Sequence, residues 1–228
     1  MELTYYGHSV LQIKTNDTTL LFDPFITGNS LAEQVVSPDD LNPDVILLTH
    51  AHFDHWGNTP EIAARTGALV VANHEIGEYI KREHNHPRVH TMNTGGCWTF
   101  DWGRVVMTYA RHSSSFPDGT YGGNPNGYIL YLEDKCLYNL GDTAPFSEMA
   151  WIGEEHEIDV ALMPIGDCFT MGIGGAVQSG TMLNPKLSIP LHFDTFPPIE
   201  VDTHEWVERM GTKGLAAKVL KPGETISV

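Results

Sequence analysis

A short segment of the chain carries three histidines and one aspartate within six consecutive positions, and these are His50, His52, Asp54 and His55. The apolar run at residues 45–48 directly precedes the segment and predicts a buried strand. In an extended segment alternate side chains point the same way, so we expect His50, His52 and Asp54 to share one side. His55 has the opposite parity, and a glycine two residues later permits the turn it needs. Because imidazole and carboxylate groups bind zinc, iron, manganese and nickel, the segment predicts about half of a two-metal site.

The remaining ligands are expected at the ends of other apolar runs. Three candidates follow such runs, and they are His112, Asp142 and His192. Side chains at strand ends converge where the strands converge. A lone histidine after a strand is more often a surface or capping residue. Each candidate therefore counts as a metal ligand only in combination with the segment at residues 50–55. Two metals about 3.5–4 Å apart need a bridging group, and a carboxylate such as that of Asp142 has two oxygens for this purpose.

One stretch predicts a parallel crossover. A strand at residues 44–48, a helix at 59–65 and a strand at 68–72 follow one another. Thr59 is the predicted N-cap of the helix, a proline lies in its first turn, and Gly67 is the predicted stop. A helix between two strands of one sheet makes those strands parallel and covers one sheet face.

The order of all predicted elements is β-rich, then α/β, then β-rich, then α/β. Extended segments at 218–220 and 224–228 are predicted to close the chain. Two sheets, each with its own layer of helices, explain this order, so the predicted fold class is α/β in four layers. The length of 228 residues suits a single domain over residues 1–228.

Composition restricts the classes of function. The formal net charge is −16, from 13 basic and 29 acidic residues. Such a surface repels phosphate backbones and anionic membranes, so nucleic acid is a disfavoured partner and a small-molecule substrate is expected. No apolar run reaches the length of a membrane span, and no secretory signal is visible, so we expect a cytoplasmic protein. The three cysteines, Cys97, Cys136 and Cys168, are expected to be reduced core thiols. Edge strands favour a homo-oligomer.

These motifs resemble the metallo-β-lactamase fold superfamily. The resemblance rests on His-x-His-x-Asp-His at residues 50–55, followed by His112, Gly141-Asp142 and His192. Shorter matches at residues 6–9, 23–25, 164–172 and 192–196 resemble the UPF0173 metal-dependent hydrolases, near the L-ascorbate-6-phosphate lactonase-like proteins. The resemblance implies an αββα sandwich with metals at one edge. It also implies a ligand division: His50, His52 and His112 on one metal, Asp54, His55 and His192 on the other, and Asp142 between them.

The implied chemistry is hydrolysis by two divalent metal ions. Zinc is the favoured metal, with Mn2+, Ni2+ and Fe2+ as alternatives. A hydroxide that bridges the metals would attack a small ester, lactone or phosphoester, and Asp54 would accept a proton. His8 is a candidate for stabilising substrate charge or protonating a leaving group, with a structural role as the alternative. Rival functions are a phosphodiesterase for RNA or phospholipid, a true β-lactamase, and a non-hydrolytic metal-binding or redox protein.

Several residues are expected around this site. Asp23 follows a predicted strand and is either a hydrogen-bond acceptor for a ligand histidine or a turn residue. Asp167 and Thr170 lie in a loop that we expect to flank the pocket. The segments 113–115 and 122–125 are expected to form another pocket wall.

Overall fold

Two β-sheets carry the functional loops. The computed structural model describes all 228 residues. Its strands are β1 (Glu2–Gly7), β2 (Val10–Thr15), β3 (Thr18–Phe22), β4 (Val45–Leu47), β5 (Leu69–Asn73), β6 (Val89–Met92), β7 (Cys97–Phe100), β8 (Gly103–Tyr109), β9 (Asn126–Leu132), β10 (Lys135–Asn139), β11 (Val160–Pro164), β12 (Leu187–Leu191) and β13 (Thr225–Ser227). The first sheet has seven strands in the order β13-β1-β2-β3-β4-β5-β6, and the second has six in the order β12-β11-β10-β9-β8-β7.

Six helices cover these sheets. They are α1 (Phe53–Trp56), α2 (Thr59–Thr66), α3 (His74–His84), α4 (Met149–Glu155), α5 (Ile173–Leu183) and α6 (Thr203–Thr212). Ile62 of α2 and Ile76 of α3 are fully buried against the outer face of the first sheet. Val177 of α5 and Trp206 of α6 pack with residues of the second sheet. None of the six helices combines the length and the apolarity that a bilayer crossing requires.

Both sheets, together with the helices that cover the second sheet, contribute to one core of 39 buried residues. The rings of Phe22 in β3 and Tyr128 in β9 meet across it with centroids 5.9 Å apart. The Tyr128 hydroxyl also donates a 2.9 Å hydrogen bond to the carbonyl of Leu48, which follows β4. The predicted αββα architecture is therefore confirmed, with the two sheets as its inner layers.

Parallel strands bring several loops to one edge. In the first sheet β3, β4, β5 and β6 pair in parallel, and in the second sheet β10, β11 and β12 do. The predicted crossover is confirmed, with Val45 of β4 opposite Leu69 of β5. Its helix begins at Thr59 with Asn58 before it, so the predicted N-cap was one residue late. The predicted stop at Gly67 is confirmed, because this residue adopts the left-handed conformation with φ 70°.

Two predictions from the sequence were wrong. Residues 218–220 form no strand, and the nearest pairing is an isolated bridge between Ser188 and Ala217. Cys136 is buried as expected, but Cys97 and Cys168 are exposed rather than part of a core. In both places local hydrophobic pattern was a poor guide, because packing against distant segments decides which side chains are covered.

Two glycines with positive φ allow a paired test of the segment that carries the predicted ligands: Gly67 is in the left-handed helical region, and Gly57, with ψ −126°, is outside it. Gly57 ends α1 with φ 38°, and an added Cβ would lie 2.5 Å from the Cα of Phe25. Gly67 has φ 70°, and an added Cβ would come no closer than 3.9 Å to a side-chain nitrogen of Arg88. We expect Gly67→Ala to lower the free energy of unfolding by about 1–2 kcal/mol through backbone strain alone. We expect Gly57→Ala to lower it by more than about 3 kcal/mol, because backbone must also move.

Chemical denaturation monitored by circular dichroism measures both free energies of unfolding. Elemental analysis of the folded proteins should show metal loss for Gly57→Ala and normal metal content for Gly67→Ala. Equal destabilisation of the two variants would contradict the close approach of α1 to Phe25.

Candidate metal centre

The predicted ligands lie on loops from both sheets. The segment 49–52 and helix α1 follow β4 of the first sheet. In the second sheet, His112 comes three residues after the end of β8, Asp142 three residues after β10, and His192 directly after β12. Since β8 and β10 are both antiparallel to β9, and β10 and β12 run parallel with β11, these three strands end at the same edge.

The expectation that residues 50–54 stay extended was wrong beyond His52. Helix α1 begins at Phe53, and His52 is its N-cap with extended backbone angles. Successive helical residues are about 100° apart around the axis, so Asp54 and His55 point in neighbouring directions rather than opposite ones. In an extended segment Asp54 and His55 would point to opposite sides, but the helical turn directs both side chains toward the same centre.

Three histidines form the first cluster of candidate ligands. The Nε2 atom of His50 lies 2.9 Å from Nδ1 of His52, which lies 3.2 Å from Nε2 of His112. Tetrahedral coordination at about 2.0–2.1 Å from a zinc ion separates neighbouring ligand nitrogens by about 3.3 Å. The spacing of these three nitrogens is therefore close to that of three ligands of one metal ion.

A second cluster surrounds the carboxylates of Asp54 and Asp142. The Nε2 atom of His192 lies 3.0 Å from Oδ2 of Asp142 and 3.5 Å from Oδ2 of Asp54. The Nε2 atom of His55 lies 3.2 Å from Oδ2 of Asp142. That same oxygen is 3.9 Å from Nε2 of His50, which belongs to the first cluster. The Asp142 carboxylate thus lies between the two clusters.

The donors in this centre fit a divalent cation better than they fit one another. The Nε2 atoms of His55 and His192 are buried and form no hydrogen bond, although a carboxylate oxygen lies beside each of them. A buried polar atom without a partner is rare, because its desolvation is uncompensated. A cation shared by the imidazoles and the carboxylates would satisfy all of these atoms together. The arrangement of these donors therefore fits a metal site.

The charge of nearby carboxylates favours the protonated forms of His55 and His192, and a metal ion that binds there would replace those protons. Burial by itself would raise the pKa of Asp142, but His192 and His55 hold that pKa well below its usual range. Burial opposes protonation of His192, yet the charge of Asp142 raises its pKa to about 9. The same carboxylate and Asp23 raise the pKa of His55 despite its burial. Metal binding here would displace protons from both imidazoles.

Neutral imidazoles occupy the rest of the centre. Burial, reinforced by the nearby His55, lowers the pKa of His50 well below its ordinary value. Burial also lowers the pKa of His52 and His112. Because a ligand histidine must be deprotonated at the nitrogen that binds metal, these three side chains are ready to act as ligands at neutral pH.

Asp23 lies behind the centre and orients one candidate ligand. Its Oδ2 atom accepts hydrogen bonds from Nδ1 of His55 at 2.9 Å and from the hydroxyl of Thr49 at 2.7 Å. Its Oδ1 atom accepts a 2.8 Å bond from the backbone N–H of Thr49. This arrangement places the His55 proton on Nδ1 and directs Nε2 toward Asp142. Of the two roles considered for Asp23, the structure shows the hydrogen-bond acceptor.

His8 contacts the centre from the buried side. Its Nε2 atom is 3.1 Å from Oδ2 of Asp54, and its Nδ1 atom is 2.9 Å from the hydroxyl of Thr195. Its side chain is fully buried, and the burial, together with nearby His192, lowers its pKa to about 3. The neutral ring therefore holds Asp54 from behind and does not reach the cavity in front of the carboxylates.

That cavity has a volume of about 530 Å³. It is lined by His52, Phe53, Asp54, His112, Ser113, Asp142, Phe169, His192, Phe196 and Pro198. Sequence reasoning missed its apolar members, although the place of Phe53 between two predicted ligands was a usable signal. Phe169 and Phe196 lie within the stretches 164–172 and 192–196 that resemble the family, but only the folding of their loops brings the two rings to the cavity.

The expected pocket walls need correction. Ser113 lines the cavity, but Asp167 and Thr170 do not, and Phe169 between them does. Residues 122–125 are also absent from the lining. The carbonyl of Gly122 instead accepts a 3.0 Å hydrogen bond from Ser114, whose hydroxyl accepts one from the backbone of Ala51. This segment therefore supports the ligand loop from behind.

Comparison with known proteins agrees with this geometry. Residues 18–193 match the model of the beta-lactamase superfamily domain. A UPF0173 metal-dependent hydrolase from Salinibacter ruber is 50% identical over 228 residues, which cover 100% of both chains. A UPF0173 metal-dependent hydrolase from Bacillus subtilis is 44% identical over 233 aligned positions, again covering 100% of both. The structure of Igni18, a metallo hydrolase from Ignicoccus hospitalis, is 36% identical, covers 99% of this chain and 97% of its own, and superposes with a TM-score of 0.88.

The hydrogen bond from His55 to Asp23 predicts a specific loss of metal affinity. Asp23→Asn keeps the side-chain shape but removes the charge that orients His55 and raises its ligand strength. We expect metal affinity to fall about 10–100-fold, the usual effect of removing such a partner. Competition with a chromogenic chelator measures that affinity.

Asp44→Asn is the matched control for this substitution. Asp44 also accepts a backbone N–H, that of Thr19 at 2.8 Å, but it is exposed and contacts no candidate ligand. Its substitution should leave metal affinity unchanged. If both variants bound metal as the parent does, Asp23 would have no part in orienting His55.

Proposed function

The chain belongs to the UPF0173 metal-dependent hydrolases of the β-lactamase superfamily, and from that premise we propose that it is a dinuclear hydrolase of a small ester, lactone or phosphoester. One observation carries the dinuclear part of the proposal. The Oδ2 atom of Asp142 lies 3.6 Å from Nε2 of His112 in the first cluster and 3.0 Å from Nε2 of His192 in the second. A carboxylate in that position can join two cations.

We assign the ligands to two metal ions on this basis. His50, His52 and His112 would hold the first ion, Asp54, His55 and His192 the second, and Asp142 would bridge them. When bound, the ions supply Lewis acidity and lower the pKa of a coordinated water toward neutrality. Zinc is the favoured metal, with manganese, nickel and ferrous iron as alternatives, because nitrogen and carboxylate ligands together suit all four.

Asp54 and His8 have distinct roles in the proposal. Asp54 lines the cavity and accepts the proton of the attacking water, while His8 keeps that carboxylate in place through its 3.1 Å contact. His8 is thus a positioning residue, because its buried ring touches Asp54 and not the cavity. Its own orientation depends on Thr195, whose hydroxyl contacts the other ring nitrogen.

The cavity gives less support to one rival function, a phosphodiesterase for RNA or phospholipid. The cavity lining contains no lysine or arginine, the side chains with which proteins commonly bind RNA and phospholipid phosphates.

The proposal also includes the finer expectations from the sequence: one domain over residues 1–228, a small-molecule substrate, a homo-oligomer and a cytoplasmic location. The core of 39 residues that both sheets share supports the single domain.

Removal of a ligand from either cluster tests the proposed site. We expect His52→Ala and Asp142→Ala to lower the bound metal and to reduce ester turnover at least about a hundredfold, because each removes a direct ligand. Metal is counted by elemental analysis, and turnover is followed with p-nitrophenyl acetate and a γ-lactone in the presence of Zn2+ or Mn2+. His204→Ala, in an exposed histidine, is the matched control and should change neither quantity.

Metal titration of the parent protein tests the nuclearity. Two equivalents per chain, and a clear loss for Asp142→Ala, are the expected results. A single equivalent in the active protein would contradict the dinuclear assignment. Full turnover by His52→Ala would contradict the assignment of the first cluster.

The positioning role of His8 makes a separate prediction. His8 has a left-handed backbone with φ 58°, which asparagine tolerates, so His8→Asn avoids added strain. We expect kcat to fall about 10–100-fold with little change in KM, since a misplaced catalytic group costs rate rather than substrate binding. Steady-state kinetics separate the two constants, and Thr195→Val should give a smaller effect of the same kind. A raised KM with an unchanged kcat would contradict this role.

A further inference from the structure

The cavity at the candidate metal centre has two chemically different parts. One part is formed by the candidate ligands and Ser113, and the other by Phe53, Phe169, Phe196 and Pro198. The only charged side chains of the lining, apart from its histidines, are the carboxylates of Asp54 and Asp142. A substrate in this cavity can therefore contact both polar groups and aromatic surface.

Two phenylalanines of the lining, Phe53 and Phe196, pack against a further phenylalanine, Phe25, which is not part of the lining. The rings of Phe53 and Phe196 have centroids 6.1 Å apart. Phe25 contacts both, at 5.7 Å from Phe53 and 6.2 Å from Phe196, and is itself buried. These distances are those of favourable aromatic pairs. The two rings at the cavity are thus supported by packing, and they are not loose side chains on a surface loop.

The aromatic part of the cavity remains accessible. Phe53 is 55% exposed, and Phe169, on the loop that follows β11, is also 55% exposed. A single exposed apolar side chain has no special meaning, but exposed rings that line one cavity together with convergent polar groups are typical of ligand pockets. Phe53 lines the same cavity as the candidate ligands His52 and Asp54, so its ring borders the space in which a substrate would bind.

The charge of the lining restricts the substrate further. Proteins usually bind phosphate or carboxylate groups with arginine or lysine, and the lining has neither. A phosphoester would meet the metal ions and the hydroxyl of Ser113 but no lysine or arginine, and any further anionic group would have no such cationic side chain as a partner. An uncharged substrate with an apolar substituent has no such unpaired group.

We propose that the substrate is an uncharged carboxylic ester or lactone with an apolar tail, and that Phe53, Phe169 and Phe196 bind the tail. This inference rests on the proposed hydrolase function and narrows its substrate class. The oxygen of water bonds to the acyl carbon, the bond from that carbon to the alkoxy oxygen breaks, and the alkoxy oxygen receives a proton. The products are a carboxylic acid and an alcohol, joined in one molecule when the substrate is a lactone.

A series of p-nitrophenyl esters tests the tail. With metal-loaded protein, kcat/KM should rise at least about tenfold from the acetate to the hexanoate, because each methylene adds favourable contact with the rings. Bis-p-nitrophenyl phosphate should be a poorer substrate than either ester. A flat or falling dependence on chain length, or preference for the phosphodiester, would overturn the inference while leaving a working hydrolase. No turnover of any ester, lactone or phosphoester, with two metal ions bound, would instead count against the proposed function itself.

Substitution of the rings gives the residue-level test. Phe53→Ala, Phe169→Ala and Phe196→Ala should each lower the ratio of kcat/KM for hexanoate over acetate about tenfold, and Phe53→Leu should restore part of it. Trp151→Ala is the matched control, because this side chain is 69% exposed on α4 and does not line the cavity. An unchanged ratio in all three phenylalanine variants would overturn the assignment of the tail site.

Binding without catalysis provides a second readout. The uncharged ketone 4-phenylbutan-2-one cannot be hydrolysed, and its binding to metal-free protein can be followed by NMR titration. Phe53→Ala and Phe169→Ala should weaken that binding about tenfold, whereas Trp151→Ala should not. Equal affinity in the parent protein and both phenylalanine variants would contradict the inference, whatever the activity of the loaded enzyme.

Discussion

The contact on which the rest of this structure depends is that of one buried carboxylate oxygen with ring nitrogens from four histidines. Oδ2 of Asp142 lies between 3.0 and 3.9 Å from those nitrogens, which belong to His50, His55, His112 and His192. These residues come from both sheets, so the contact exists only when the two sheets pack face to face. Because Nε2 of His55 and Nε2 of His192 have no hydrogen-bond partner, a cation bound beside Asp142 would satisfy buried atoms that the side chains alone leave unpaired. The core between the sheets and the proposed chemistry are thus parts of one arrangement.

Three residues beside this contact have unfavourable backbone angles. His8, Asp23 and His192 all have left-handed backbone angles, with φ of 58°, 41° and 55°. Such angles are unfavourable for residues with a Cβ and persist where surrounding structure enforces them, often at functional sites. Here each strained residue lies at a strand end and directs its side chain into the centre. The backbone N–H of His192 also donates a 2.8 Å hydrogen bond to the carbonyl of His8, which ties the two sheets together beside the ligands.

The fold separates reaction from recognition. The candidate ligands are buried or half-buried at strand ends, where packing holds them, whereas Phe53 and Phe169 are more than half exposed at the rim. Asp23 and His8 hold two of the ligands from behind without touching the cavity. Helix α1 carries Phe53 as well as Asp54 and His55, and the buried Phe25 packs against Phe53 and Phe196. Phe169 lies on the loop that follows β11.

The sequence by itself determined the metal chemistry and much of the fold. The crowding of His50 to His55 has no structural use, and alternation and turn signals were sufficient to predict most strands and the crossover helix. Only the tertiary structure decided how those ligands face one another. Helix α1, which starts at Phe53, overrode the parity of an extended segment, because a four-residue turn between packed sheets has no periodic pattern of its own. The sequence did not show that Phe169 and Phe196 line the cavity, since they are distant from the ligand turn in sequence and reach the cavity only when β11 and β12 bring their loops to the same edge.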